Sequence, residues 1–171
     1  VVIDVQRAGP CTGMPTKTEQ ADLNEALYGR NGESPMVVIA SHSPAHCFDT
    51  AFMAARIALE RMVPVLMLSE GFLGNGSEPW RIPSMSDYPE LHPSYVRSGC
   101  EAYKPFERDA GTLSRKWAVP GMPGFEHRVG GLEKKHNGVL STAPANHELM
   151  VRERAAKVAA VVSILPGLFY T

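Results

Sequence analysis

Short apolar runs and amphipathic stretches alternate over residues 1–75. Residues 1–5, 36–40 and 65–68 are apolar apart from Asp4, and the first two runs are rich in β-branched side chains. Continuous apolar runs of this length are typical of strands in a parallel sheet whose two faces are both covered. We therefore predict three strands, the first of them buried on both faces.

Helix signals fill the gaps between these strands. Thr16 and Glu19 have the spacing of a capping box, which predicts a helix that starts at Thr16 and stops at Gly29. Ser43, followed by a proline, predicts the N-cap of a second helix, and Pro64 predicts its end. Apolar residues at spacings of four and three predict one buried face on that helix: Phe48, Phe52, Ala55, Leu59 and Met62.

This order of strands and helices is typical of a parallel sheet with crossover helices, and it predicts an α/β domain over residues 1–75. Residues 76–145 differ, because eight of the 14 prolines lie between Gly71 and Pro144. We predict an ordered excursion poor in regular structure, with Trp80 and Trp117 largely buried against protein. Over residues 146–171, Asn146 predicts the cap of a final helix that runs to about Ser163 and is stopped by Pro166 and Gly167.

Composition narrows the possible functions. The net charge of -1 implies no basic surface, which argues against a nucleic-acid-binding protein. No apolar run reaches the roughly 20 residues that span a bilayer, and we find no secretory signal. The chain has three cysteines, Cys11, Cys47 and Cys100, and they are widely spaced. An odd number at such spacings favours free thiols in the cytoplasm over disulfides or ligands of an iron–sulfur cluster.

The start of the chain predicts that it is part of a longer polypeptide. There is no initiator Met, and residues 1–5 already form a predicted strand. A strand at this position has nothing before it to complete the sheet, so we expect further chain upstream of Val1.

The loop after the first predicted strand is the strongest candidate site. In open α/β sheets, ligands bind beyond the carboxyl ends of the strands. Arg7, Thr12 and Thr16 would combine a guanidinium, hydroxyl groups and a helix N-terminus, which together suit a carboxylate or a phosphate. The alternative is that Arg7 forms a structural ion pair and that Thr16 only caps the helix.

Two other patterns are weaker. Residues 71–77 resemble a phosphate-cradling loop but lack its lysine and a clear following helix, so turn glycines are favoured. His42, His46 and Cys47 could be imagined as metal ligands, but Pro44 disrupts the helical spacing that the two histidines would need. We predict no metal site in this chain.

A long motif carries a family resemblance. Residues 4–23, DVQRAGPCTGMPTKTEQADL, are similar to the DVQRxGPSTGxPTKTEQxDL signature of the α subunits of 2-oxoacid:ferredoxin oxidoreductases. The resemblance continues in order along the chain, at residues 27–33, 43–48, 68–80, 120–127, 130–133 and 146–154.

The resemblance implies a fold, a reaction and partners. Residues 1–75 would be part of a pyrimidine-binding type of thiamine-diphosphate-fold domain, and residues 146–171 would lead toward a transketolase-C-terminal-like domain. A β subunit would hold the diphosphate, its Mg²⁺ and a [4Fe–4S] cluster. The enzyme would decarboxylate a 2-oxo acid, with 2-oxoglutarate favoured, pass electrons singly to ferredoxin, and transfer the acyl group to coenzyme A.

The resemblance also assigns roles to residues and shows where this chain departs from the family pattern. Arg7 matches the family arginine that holds the 2-oxo acid, and Thr16 matches a threonine of the same pocket. Cys11 stands at a position where the family usually has Ser. The glutamate that activates the aminopyrimidine would lie upstream of Val1. We therefore expect no catalytic residue in this chain and no activity from it alone.

Two alternatives remain open. The chain could be a non-catalytic module that docks the β subunit through residues 76–145, or its enzyme could act on pyruvate or a branched-chain 2-oxo acid.

Overall fold

The structure is a computed structural model that describes residues 1–99 and 103–166. Its elements follow one another as β1 (Val2–Gln6), α1 (Leu23–Tyr28), β2 (Val37–Ala40), α2 (His46–Arg61), β3 (Val65–Glu70), α3 (Gly71–Asn75), a 3₁₀ turn (Met85–Asp87), α4 (Pro144–Ala159) and a second 3₁₀ turn (Ala160–Ile164).

The three strands form a parallel sheet in the order β1-β3-β2, which confirms the predicted α/β class. Gln6 at the end of β1 is in register with Glu70 at the end of β3, and Ala40 at the end of β2 is in register with Leu68. The carboxyl ends of all three strands therefore lie at one edge of the sheet, where the loop after β1 begins.

The strand β1 is more exposed than predicted. It pairs only with β3, so it is an edge strand. Val1, Val2, Ile3 and Val5 are each 57–59% exposed. Successive side chains of a strand point to opposite faces, and Val2 and Ile3 are both exposed, so the prediction of a strand covered on both faces is wrong within this chain.

The buried face of α2 is also displaced from the predicted one. Ala54 and Ile57 are fully buried, whereas Phe48 and Leu59 are 39% and 38% exposed. Thr50 can join the buried face because its hydroxyl donates to the carbonyl oxygen of His46 at 2.9 Å.

The first helix begins later than the capping-box pattern predicted. Its first residue is Leu23, and Thr16 has a φ of 61°, which is not a helix N-cap conformation. The carboxylate of Glu19 instead accepts a hydrogen bond from the backbone N–H of Gly9 at 2.8 Å. The predicted stop is confirmed, because Gly29 is the C-cap of α1.

The second helix starts at His46, three residues after the predicted N-cap. The Ser43 hydroxyl still accepts from the N–H of His46 at 3.3 Å. A second cap comes from Glu78, whose carboxylate accepts from the N–H of Ala45 at 2.6 Å and from the Ser43 hydroxyl at 2.7 Å. A carboxylate at a helix N-terminus is favoured by the helix dipole, so Glu78 stabilises the start of α2.

The glycine-rich segment after β3 forms a short helix, α3, rather than the predicted turn. The side-chain amide of Asn75 donates to the carbonyl oxygen of Gly71 at 2.7 Å and closes this single turn. An ideal Cβ on Gly71 would lie 3.5 Å from the carbonyl carbon of Thr16, so the loop after β1 packs against the start of α3.

Little regular structure is present over the described part of residues 76–145, as predicted. Before α4 begins at Pro144, it consists of the turn Met85–Asp87 and two isolated bridges, one between Tyr95 and Trp117 and one between Lys134 and Leu140. Trp117 is partly buried and donates from its indole nitrogen to Leu59 at 2.8 Å. The burial prediction is wrong within this chain for Trp80, which is 47% exposed.

The last helix begins at Pro144, with Ala143 as its N-cap, so Asn146 does not cap it. Proline at the start already supplies a suitable φ and has no N–H to satisfy. Asn146 donates instead to the carboxylate of Glu133 at 3.4 Å. The turn after α4 ends at Ile164, close to the predicted end, and Gly167 of the predicted stop lies outside the described residues.

The chain divides into two compact units. Unit 1 comprises Val1–Ala58 and Val63–Leu91, and unit 2 comprises Leu59–Met62 and His92–Thr171. The domain limits proposed from the sequence stay a prediction. Among the described residues, we find no helix with the length and apolar character required to cross a membrane.

Candidate functional site

The loop after β1 is closed by backbone hydrogen bonds to one residue. Ala8 is buried, its N–H donates to Lys17 at 3.0 Å, and its carbonyl oxygen accepts from Met14 at 2.9 Å. Inside this closure, Cys11 and Thr16 have φ values of 56° and 61°. The loop therefore has a defined shape at the carboxyl edge of the sheet, although many of its side chains are exposed.

Gly13 is required by this shape. Its φ is +57°, and an ideal Cβ would lie 1.5 Å from the carbonyl oxygen of Ala8. We predict that Gly13→Ala destabilises the loop by about 2 kcal/mol, because a left-handed backbone costs other residues roughly 1–2 kcal/mol and the clash adds to it. Hydrogen exchange at the amides of Ala8 and Met14 should accelerate by about thirtyfold.

Gly74→Ala is the matched control for this change. A Cβ at Gly74 would meet nothing within 4 Å, and its φ is not positive. Hydrogen exchange at the amides of Ala8 and Met14 should be as slow in this variant as in the unchanged protein. Equal exchange rates in the Gly13 and Gly74 variants would contradict the proposed backbone requirement.

Arg7 lies in a cleft of about 520 Å³ on this loop. Its side chain is exposed. Among the described residues, no carboxylate forms an ion pair with Arg7, so nothing there supports the alternative of a structural ion pair. The cleft is lined by Val5, Arg7, Gly9, Pro10, Cys11, Glu19, Ala21 and Asp22.

The other two predicted site residues are not part of this cleft lining. Thr12 is exposed, and its hydroxyl lies 3.8 Å from the sulfur of Cys11. Thr16 is exposed as well, and it does not begin a helix, because α1 starts at Leu23. The expectation that Arg7 would face a helix N-terminus at Thr16 is therefore wrong, while the binding roles of the three residues stay predictions.

Gln6, which precedes Arg7, fixes the end of β1 and was not found from the sequence. It is buried, its amide nitrogen donates to the carbonyl of Ser69 at 3.3 Å, and its amide oxygen accepts from the N–H of Asp22 at 3.0 Å. It therefore joins β1, β3 and the start of α1 immediately before Arg7. The sequence signal that could have identified Gln6 is a polar residue at the end of an apolar strand.

Two further polar groups at the carboxyl edge were also missed. Glu70, the last residue of β3, is buried, and its Oε2 has no hydrogen-bond partner. Ser41, which follows β2, has a buried hydroxyl without a partner. Buried polar atoms normally have partners, so these two atoms leave hydrogen-bonding capacity unused at the carboxyl edge.

The histidines after β2 pack against each other. The rings of His42 and His46 stack with their centroids 3.9 Å apart, and the Thr50 hydroxyl lies 3.2 Å from Nδ1 of His46. Burial, and then the neighbouring His42, lower the pKa of His46. In the described part of the chain, no three His, Cys, Asp or Glu side chains group as metal ligands. Cys11 and Cys47 are free thiols, and Cys100 lies outside the described residues.

In unit 2, two carboxylates join α4 to the preceding irregular segment. Glu153 forms an ion pair with Arg108 at 2.7 Å and contacts Nε2 of His136 at 3.0 Å. Glu133 contacts His147 at 3.1 Å and Arg154 at 3.3 Å. Desolvation is the largest single effect on the pKa of Glu133, and it raises this pKa. Hydrogen bonds and positive charge from His147 and Arg154 together outweigh it, so the pKa of Glu133 is lowered.

Lys157 should make stability depend on alkaline pH. Its side chain is buried and donates to the carbonyl oxygen of Met62 at 2.9 Å. Burial, followed by repulsion from Arg108 and Arg115, lowers the pKa of Lys157 from 10.5 to about 8. Between these values the unfolded chain binds more protons than the folded chain, so the free energy of unfolding should rise with pH.

We expect this rise to total about 1–2 kcal/mol between pH 8 and 10.5 in urea unfolding of the complete subunit. Lys157→Met should abolish it, because the titrating group is gone. Lys135→Met, at an exposed lysine, should keep it. A rise of the same size in the Lys157 variant would assign the pH dependence to another group.

Comparison with known proteins gives a consistent set of relatives. The 2-oxoglutarate oxidoreductase subunit KorA of Mycobacterium tuberculosis is 56% identical over 159 residues, which are 92% of this chain and 24% of that protein. The 2-oxoacid:ferredoxin oxidoreductase 1, subunit alpha, of Sulfurisphaera tokodaii is 30% identical over 154 residues, covering 89% of this chain and 24% of that protein. The chain thus spans about a quarter of the length of these relatives.

A solved structure shares the fold. The 2-oxoglutarate:ferredoxin oxidoreductase from Magnetococcus marinus, with 2-oxoglutarate, coenzyme A and succinyl-CoA bound, superposes with a TM-score of 0.86 at 34% identity, over 97% of this chain and 29% of that chain. Residues 1–144 match the family described as pyruvate flavodoxin/ferredoxin oxidoreductase, thiamine-diphosphate-binding. The resemblance found in the sequence motifs is thereby confirmed, and the chain belongs to this thiamine-diphosphate-binding family.

Proposed function

We propose that this chain is part of the α subunit of a 2-oxoacid:ferredoxin oxidoreductase, in which it helps to bind the 2-oxo acid. The observation that carries the proposal is the exposed guanidinium of Arg7, which lies in a cleft at the carboxyl edge of a parallel sheet. Ligands of open α/β folds bind at this edge. The family membership supplies the type of reaction.

Arg7 would act by binding the carboxylate next to the 2-oxo group. Its planar guanidinium can donate two parallel hydrogen bonds to a carboxylate, which fixes both the position and the orientation of the substrate. Gln6 would be a positioning residue, since its two hydrogen bonds fix the end of β1 immediately before Arg7. Thr12 and Thr16 would contribute hydroxyl groups to the same pocket in the complete enzyme.

The carboxyl edge fits a cofactor that donates hydrogen bonds. The buried oxygen of Glu70 that lacks a partner would accept such a bond, and the aminopyrimidine of thiamine diphosphate offers one. When bound, thiamine diphosphate supplies the electron sink that decarboxylation of a 2-oxo acid requires. This chain would then orient the substrate beside it and keep water out.

The remaining parts of the reaction would come from partners. We propose a β subunit that holds the diphosphate with its Mg²⁺ and a [4Fe–4S] cluster, ferredoxin as electron acceptor, and coenzyme A as acyl acceptor. We favour 2-oxoglutarate as substrate, because two relatives named for 2-oxoglutarate are 56% and 34% identical to this chain over the aligned residues. The enzyme would work in the cytoplasm.

Docking of the β subunit is a second candidate role. Exposed apolar side chains in the segment after β3 favour it, namely Phe72 (62%), Trp80 (47%), Ile82 (80%) and Met85 (62%). A segment that only docks should weaken subunit association when it is changed and leave the KM for the 2-oxo acid as it was.

The proposed reaction is tested on the complete enzyme with its β subunit. Reduction of ferredoxin should require a 2-oxo acid, coenzyme A and thiamine diphosphate. We expect kcat/KM to be highest for 2-oxoglutarate, followed by pyruvate and branched-chain 2-oxo acids. If no 2-oxo acid reduces ferredoxin in an enzyme loaded with cofactor and cluster, the proposal fails.

A further inference from the structure

The two units have opposite charge. The residues of unit 1 carry five basic and ten acidic side chains, and those of unit 2 carry 12 basic and eight acidic ones. The net charges are therefore -5 and +4, although the whole chain has a net charge of only -1. A positive potential of this kind attracts anions to concave parts of the surface.

Unit 2 contains a cleft of about 390 Å³ in which basic residues predominate. We refer to it as the basic cleft. Its charged lining consists of Arg97, Lys104, Arg108, Lys116, Glu107 and Asp109.

Both carboxylates of the basic cleft already have partners. Glu107 forms an ion pair with Lys104 at 3.3 Å. Asp109 accepts from the N–H and hydroxyl groups of Thr112 at 2.8 and 3.0 Å and from the N–H of Gly111 at 3.0 Å, and these bonds, together with the positive charge of Lys116, lower its pKa. Arg97 and Lys116 are exposed, and among the described residues neither forms an ion pair. Two cations therefore remain available to a ligand.

The positive charge behind the cleft is poorly compensated. Arg108 pairs with Glu153, but Arg115 and Lys157 have no carboxylate within ion-pair distance in the part of the chain that the structure describes. Arg115 lies over the ring of Phe106, 4.5 Å from its centroid. Burial, followed by repulsion from Arg108, lowers the pKa of both cations. Partly desolvated cations of this kind are stabilised by a nearby anion.

We propose that the basic cleft binds a phosphate group, with Arg97 and Lys116 as its main contacts. A guanidinium and an ammonium are the side chains that proteins use most for phosphate recognition. The volume of the cleft admits a phosphate together with part of a larger molecule that carries it, such as a nucleotide. This assignment does not depend on the proposed function of the Arg7 cleft.

The test uses the complete subunit with two probes, inorganic phosphate and ADP, measured by calorimetry at constant ionic strength. Arg97→Gln and Lys116→Gln should each weaken binding by about tenfold, since each removes one charge-assisted contact. Lys135→Gln, at an exposed lysine that does not line the cleft, is the matched control and should leave binding unchanged.

The two probes identify the source of the phosphate. ADP binding at least about tenfold tighter than inorganic phosphate would assign the cleft to a nucleotide, and equal binding would assign it to the free anion. Absence of millimolar binding by either probe overturns the proposal. An equal loss in the Lys135 variant also overturns it, because binding would then reflect overall charge. The proposal would also be overturned if neither probe bound and the Arg97 and Lys116 variants instead lost binding to an acidic protein.

Discussion

Arg7→Ala in the complete enzyme should lower kcat/KM for the 2-oxo acid by about tenfold to hundredfold. A charge-assisted hydrogen bond to a carboxylate contributes about 1.5–3 kcal/mol, and each 1.4 kcal/mol corresponds to about a factor of ten. The exposed position of Arg7 in its cleft means that little structure depends on it. The cofactor content and the melting temperature should therefore stay close to those of the unchanged enzyme.

Two companion variants separate binding from general charge effects. Arg7→Lys should restore part of the activity, because lysine keeps the charge but lacks the planar pair of donors. Lys17→Ala removes a positive charge from the same loop outside the cleft and should leave kcat/KM almost unchanged. A lower melting temperature with normal kinetics in Arg7→Ala would show that Arg7 is structural.

Glu153→Gln should destabilise unit 2 by about 3–5 kcal/mol, the usual cost of removing one partner from a buried ion pair. The side chains of Glu153 and Arg108 are each only 14% exposed, and His136 shares the same carboxylate. Without Glu153, the largely buried Arg108 guanidinium stays close to the Arg154 cation without a counter-charge. Hydrogen exchange of the α4 amides in the complete subunit measures this loss.

The matched control is Glu148→Gln on the same helix. Glu148 pairs with Arg152, but the two side chains are 63% and 75% exposed. Exposed ion pairs contribute only about 0–1 kcal/mol, so α4 should exchange almost as before. Similar exchange rates in the two variants would show that Glu153 does not hold α4 in place.

The apolar pattern was sufficient to predict the strands but not their surroundings. Residues 1–5, 36–40 and 65–68 each overlap an observed strand, because aliphatic runs of this length have few other uses in a soluble fold. The pattern could not show that β1 pairs with β3 alone among the described residues. Strand order depends on contacts between distant residues, which periodicity does not contain.

The loop after β1 shows where local rules gave a wrong prediction. Thr16 and Glu19 fit a capping box, but Glu19 bonds to Gly9 instead, ten residues before it. Closure of the loop through Ala8 gives Thr16 a left-handed conformation, which is incompatible with the predicted helix start. Tertiary hydrogen bonds therefore overrode a good local signal.

The candidate site was predicted only in part. Arg7 was identified from its position after a strand and from the family motif, and the structure places it in a cleft. Gln6, Glu70 and Ser41 were not identified, because single polar residues at strand ends have no distinctive spacing. Their importance depends on burial and on hydrogen-bond partners, which become visible only in three dimensions.

The most direct test of the central claim is a structure of the complete enzyme with its 2-oxo acid bound. We predict two hydrogen bonds of about 2.7–3.2 Å between the guanidinium of Arg7 and the carboxylate next to the 2-oxo group. A substrate carboxylate bound by other residues, with the Arg7 guanidinium more than about 4 Å away, would contradict it.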